Sequence, residues 1–107
     1  MAVDIKTRKP KLANVTGGLT GPAIRPIAVR LVWQAAKSVK IPVIGMGGIG
    51  DVDDALEFFM VGANAVAVGT ANFTNPSAAI TLVDDLARYL AAQGMSSVRD
   101  IVGTVTT

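Results

Sequence analysis

The chain has 107 residues, half of them hydrophobic and 17% charged, with a formal net charge of +2 and neither cysteine nor histidine. This composition excludes disorder, disulfides, thiolate nucleophiles and the commonest metal ligand, and leaves acid–base work to carboxylates, lysine or tyrosine. It allows a single domain at most with a modest core, and fits an α/β protein whose strands are covered on both faces.

Met1 to Val15 reads as a hairpin arm. Val3 and Ile5 share one side, Asp4 and Lys6 the other, and Thr7–Pro10 turns the chain towards a second strand at Leu12–Val15. The tip carries Lys6, Arg8, Lys9 and Lys11 with no interleaved aromatics, the pattern of a solvated turn guarding a strand edge rather than a nucleic-acid surface. No apolar run approaches the ~18 residues of a membrane span and no signal peptide stands out, so a soluble cytoplasmic protein is expected.

Thr16 to Pro22 holds three glycines and a proline in seven residues and is a loop. Pro26 suits the first turn of a helix, and Ala28, Leu31, Val32, Ala35, Ala36 and Val39 form its predicted apolar stripe. Ile41–Ile44 is the next strand, with Pro42 tolerated only near its start, and Gly45–Gly50 is the loop that follows. Asp51 is a good helix N-cap with Asp54 three residues on, and Val52, Ala55, Leu56 and Phe59 give the stripe of a helix closed by Gly62. Phe58, Met60 and Val61 fall off that stripe and call for a second apolar neighbour or an exposed patch.

Ala65–Val68 is a second, continuously apolar strand. Asn75-Pro76 opens a third helix with the stripe Ala79, Ile80, Val83, Leu86, Ala87 and Leu90, ended by Gly94. Ser97–Val102 is read as a short helix, and Thr104–Thr107 as a fraying tail. The two strand-plus-helix units suit a parallel crossover, yet two strands with free edges are marginal alone, so the chain reads as part of something larger.

The glycines carry the functional signal. Gly45, Gly47 and Gly50 match G-x-G-x-x-G between a strand and a helix, the context of a dinucleotide fold. That reading expects an acidic residue after the second strand to hold a ribose, where this chain has Val68-Gly69-Thr70. The alternative is the phosphate site of a (β/α)8 barrel, shared by two successive glycine-ended strands. On that reading the four glycines of Gly45–Gly50 let backbone donors approach the phosphate, Gly69 and Thr70 add N–H donors and a hydroxyl, and Gly21 approaches from the side. Tight turns alone are the plain alternative for the glycines; turn-capping is the plain alternative for Asn14 and Asn72, and packing the default for Trp33 and Tyr89.

Lys6-Thr-Arg-Lys-Pro10, Leu12-Ala-Asn14, Thr16-Gly-Gly-Leu-Thr-Gly-Pro-Ala-Ile24, Ile44-Gly-Met-Gly-Gly-Ile49 and Val68-Gly-Thr-Ala-Asn72 closely resemble the C-terminal part of dihydroorotate dehydrogenase, class 1B catalytic subunit. The resemblance implies an FMN-dependent (β/α)8 TIM barrel that oxidises dihydroorotate to orotate in pyrimidine biosynthesis. It assigns flavin contacts to Gly21, Gly47, Gly48, Gly69 and Thr70. It also implies a partner subunit carrying FAD and an iron–sulfur cluster. The family's proton-taking cysteine, flavin-contacting lysine and substrate asparagines fall on earlier segments, so the chain is expected to bind FMN phosphate without catalysing alone.

The expected organisation is one partial domain: arm 1–15, glycine loop and helix 16–40, two βα units 41–94, short helix and tail 95–107. The expected partner is the remainder of the barrel. The competing reading is a half-barrel-like fragment that self-associates as a homo-oligomer through strand edges and apolar faces.

Overall fold

A computed structural model describes all 107 residues as an α/β chain with two small sheets. In the arm, β1 (Val3–Asp4) pairs antiparallel with β2 (Lys9–Pro10), in the register Val3 to Pro10 and Asp4 to Lys9. The second strand thus comes before the expected Leu12–Val15. Asp4 is the cause: its carboxylate accepts the N–H of Lys6 (2.8 Å) and Thr7 (3.0 Å), closing the turn within four residues. Those two bonds, that from Thr7 first, hold the Asp4 carboxyl below its ordinary value.

A 3-10 turn at Pro22–Ile24 leads into α1 (Arg25–Ser38), with Pro26 in its first turn as predicted. Val32 is its buried residue, whereas Leu31 and Val39 of the predicted stripe are exposed. β3 (Ile44–Met46) then runs parallel to β4 (Ala65–Ala67), joined by α2 (Val52–Met60). The register sets Ile44, Gly45 and Met46 beside Ala65, Val66 and Ala67.

β3 starts three residues later than predicted. Pro42 has no N–H to give a ladder, and the N–H of Val43 goes to the side-chain oxygen of Asn64 (2.9 Å), so regular pairing begins beyond them. Gly45 therefore belongs to the strand rather than to the loop. A Cβ there would sit 2.6 Å from Phe58, so this glycine lets α2 close onto the sheet. Phe58 is fully buried, and the neighbour its off-stripe position called for is β3.

The core gathers Val32, Ile49, Leu56, Phe58, Phe59, Leu82 and Ile101 on the helix-covered side of this sheet. The other side is open: Ile44 is 61% and Met46 62% exposed, against the expectation of strands covered on both faces. A strand alternates its side chains, so residues flanking Gly45 point away from α2, where no layer lies.

A four-residue helix α3 (Ala71–Thr74), not foreseen in the sequence, precedes α4 (Ala78–Ala92). The buried face of α4 starts at Ala78 and Leu82 and continues through half-buried Leu86, Tyr89 and Leu90. Predicted stripe residues Ile80 and Val83 are instead 69% and 63% exposed. Both faces are apolar, so periodicity alone did not choose between them.

A 3-10 turn at Val98–Asp100, held by a capping box between Ser97 and Asp100, drives Ile101 into the core. Beyond it the chain is docked rather than frayed, up to Val105: Gly103 and Val105 donate to the carbonyls of Phe59 and Met60, each at 3.0 Å.

Candidate functional site

The two parallel strands end side by side, and the loops after them meet the loop before α1. Met46 leads into Gly47 and Gly48, Ala67 into Gly69 and Thr70, and Gly21 closes the third side. All five predicted residues line one cavity of about 650 Å3. That size falls within the roughly 300–1,000 Å3 of small-molecule sites. Its place, beyond the C-terminal ends of parallel strands, is where α/β sheets bind ligands. A second cavity of about 480 Å3 lies at the opposite end of the strands, among Trp33, Pro42, Asn64 and Val105.

Local chemistry explains the shape of the first cavity. Gly47 and Gly48 have φ of +123° and +75°, conformations that side chains rarely adopt. A Cβ on Gly48 would meet the Gly21 carbonyl at 2.7 Å, and one on Gly47 would meet Ala28 at 2.9 Å. The loop after β3 is thus pressed against the Gly21 loop and the first turn of α1. Gly69 differs, since a Cβ there meets nothing within 4 Å.

None of the turn and loop hydrogen bonds uses the N–H of Gly47, Gly48, Gly69 or Thr70 as donor. The lining contains no charged side chain, so backbone amides and the hydroxyls of Thr20 and Thr70 are what it offers an anion, the Thr74 hydroxyl being donated to the Ala71 carbonyl. Thr20 carries no expectation from the sequence, where it is one polar residue among glycines.

A helix N-terminus ordinarily favours a bound anion, but at the start of α2 its own carboxylates take that place. Asp51 accepts the N–H of Asp54 (3.0 Å), and Asp54 accepts the N–H of Gly50 (2.8 Å). Asp54 therefore reaches back past Asp51 to the glycine loop, and its other oxygen pairs with Arg25 of α1. Sequence reasoning missed this pair, because its members stand 29 residues apart and no local period links them.

Asn72 donates to the carbonyls of Val68 (2.9 Å) and Gly69 (3.1 Å), so it caps its own loop. Asn14 is exposed in the segment after β2, its carbonyl taken by Thr16 N–H. Trp33 is half-buried with Lys37 Nζ 3.8 Å from its ring centroid, and Tyr89 packs on the core. No helix is long and apolar enough to cross a membrane, and no group of three or more acidic side chains is gathered to hold a metal.

Comparison with known proteins bears on this arrangement. The family model described as dihydroorotate dehydrogenase matches residues 1–90. A dihydroorotate dehydrogenase B (NAD(+)) catalytic subunit of Geotalea uraniireducens is 54% identical over 107 residues, 100% of this chain and 35% of its own length. That of Geobacter sulfurreducens is 56% identical over 105 residues, 98% of this chain and 34% of its own. The chain thus spans about a third of the length of these curated relatives. Among solved structures, DHODH from Eimeria tenella in complex with ferulenol superposes with a TM-score of 0.76 at 28% identity, covering 88% of this chain and 26% of that one. A match over most of the sequence, joined to a matching backbone, places this chain in the dihydroorotate dehydrogenase family.

Proposed function

We propose that this chain is the flavin-phosphate-holding C-terminal part of a (β/α)8 dihydroorotate dehydrogenase, its two parallel strands being the last two of the barrel. The observation that carries the reading is the convergence of Gly21, Gly47, Gly48, Gly69 and Thr70 on one cavity beyond neighbouring strand ends. The residues fit the group: close-packed glycine backbone, N–H donors free of turn bonds and the hydroxyls of Thr20 and Thr70 suit a phosphate, and no carboxylate lines the cavity. When bound, FMN supplies the electron acceptor for oxidation of dihydroorotate to orotate.

The part played by this chain is to bind and orient. Gly47 and Gly48 present amides from β3, Gly69 and Thr70 from β4, and Gly21 closes the side. Donors fixed by the backbone cost no reorganisation when an anion arrives. The chain has no cysteine, so the base of the class 1 reaction belongs to a segment outside it, and catalysis requires that segment. The curated relatives are named as catalytic subunits of an NAD(+)-type enzyme. A partner subunit with FAD and an iron–sulfur cluster, and a cytoplasmic setting, go with this reading.

The test is a titration of the chain with FMN and with riboflavin, which lacks the phosphate, followed by flavin fluorescence. FMN is expected to bind and riboflavin to bind at least tenfold more weakly, with Gly47→Trp abolishing the difference. Silence towards both FMN and inorganic phosphate at millimolar concentration would overturn the proposal.

The second reading, self-association of a half-barrel-like fragment, is favoured by a specific observation. The chain exposes 7511 Å2, whereas a compact monomer of its 11.0 kDa exposes about 5,600 Å2. Sedimentation velocity separates the readings, because a monomer at high concentration leaves no place for the second.

A further inference from the structure

We infer that Asp54, held by Arg25, is the positioning residue of the glycine loop: it closes the N-terminus of α2 to anions and directs a phosphate to Gly47, Gly48, Gly69 and Thr70. The choice of ligand rests on the flavin-phosphate reading above, while the hold on the loop rests on geometry alone.

Asp54 is the buried charged residue of the chain, 8% exposed. One carboxylate oxygen accepts the Gly50 N–H at 2.8 Å, and the other pairs with the Arg25 guanidinium. Arg25 also lies 3.7 Å from Glu57, one turn further along α2. The backbone N of Arg25 and its Cβ come within 3.1 and 2.9 Å of where a Cβ on Gly48 would sit. A single residue thus braces the loop from one side and neutralises the carboxylate that grips it from the other.

The electrostatics follow from this placement. A helix N-terminus offers partial positive charge, which is why phosphates gather there. In α2 that charge is met by Asp51 and Asp54, with Asp53 beside them in the first turn. A phosphate at this spot would face carboxylates, so it is turned away towards the uncharged cavity lining. With no cationic side chain in the lining, recognition depends on how the loop amides are aimed, which makes the residue that aims them decisive.

The test uses the whole 107-residue chain, with amide hydrogen exchange followed by NMR and FMN binding by fluorescence. In Asp54→Ala, exchange at Gly50 should quicken at least tenfold and FMN should bind at least tenfold more weakly. Asp54→Asn keeps an acceptor for Gly50 and should preserve slow exchange. Arg25→Met leaves a buried carboxylate unpaired and should weaken FMN at least tenfold, whereas Arg25→Lys should restore most of the affinity. Adding Asp54→Asn to Arg25→Met removes the unpaired charge and should also recover binding; a purely structural ion pair would instead show itself in Asp54→Ala as faster exchange throughout α2, whereas the positioning role quickens it at Gly50. The inference is overturned if Asp54→Ala changes neither exchange nor affinity, or if the double variant binds no better than Arg25→Met. Faster Gly50 exchange in Asp54→Ala, from a chain that takes up no FMN in its unaltered form, would support the hold on the loop and overturn the flavin reading.

Discussion

Gly48 and Gly69 line the same cavity under different constraints. Gly48 sits at φ +75° with the Gly21 carbonyl 2.7 Å from its missing Cβ, whereas Gly69 faces open space. Gly48→Ala should therefore cost about 2 kcal/mol or more, since left-handed backbone alone costs roughly 1–2 kcal/mol for an L side chain. Gly69→Ala should stay within about 0.5 kcal/mol of the unaltered chain. Urea denaturation of both variants checks the contrast, and equal losses would contradict it. Sequence reasoning grouped these glycines by motif; only their surroundings separate them.

Asp4 makes a second residue-scale case. Its carboxyl titrates below the ordinary aspartate range because it accepts the Thr7 and Lys6 amides, so the folded arm favours the charged form. A depressed value means the contribution is present above the unfolded pKa, about 3.9, and is lost as pH falls through the lower folded one. The amide shifts of Lys6 and Thr7 should move together in that acid window, while those of α4 stay still. Independent movement at different pH values would break the link to one carboxyl.

At the scale of the element, α2 is where propensity and packing agree best. Asp51 caps it as the sequence indicates, and replacing such a cap by alanine costs about 1 kcal/mol. Phe58 sits fully buried against Gly45, and Phe58→Ala should cost about 3–5 kcal/mol. Denaturant melts of Asp51→Ala and Phe58→Ala should therefore rank in that order, the second approaching loss of the fold. A reversed ranking would place the core elsewhere. The face of α4 shows the opposite situation. Of the predicted stripe, Leu86 and Leu90 pack against the core beside Ala78 and Leu82 while Ile80 and Val83 stay exposed, and contact with α2 decided the division.

For the whole molecule, the open face of β3 dominates. The radius of gyration is 16.8 Å with extents of 58 × 33 × 22 Å, against about 13 Å for a compact chain of this length. Exposed Ile44 and Met46, beside unpaired strand edges, make a surface that another layer should cover. The joint variant Ile44→Lys, Met46→Lys should lower the sedimentation-average mass of the chain at high concentration. An unchanged mass distribution would show that association, where it occurs, uses another surface such as Ile80 and Val83.

The order of the longer helices and of the parallel strands and the cap at Asp51 were legible in the sequence, because each is written in neighbouring residues, whereas α3 was not. Glycine after an apolar run, aspartate before a helix and periodic leucine act over a few positions. Tertiary structure alone decided that Gly45 packs a helix while Gly47 and Gly48 shape a cavity. It alone decided that Asp54 grips Gly50 and Arg25 rather than merely closing a cap, and that one face of the sheet stays bare. These outcomes depend on contacts between residues far apart in the chain, and such contacts form only when the elements have docked.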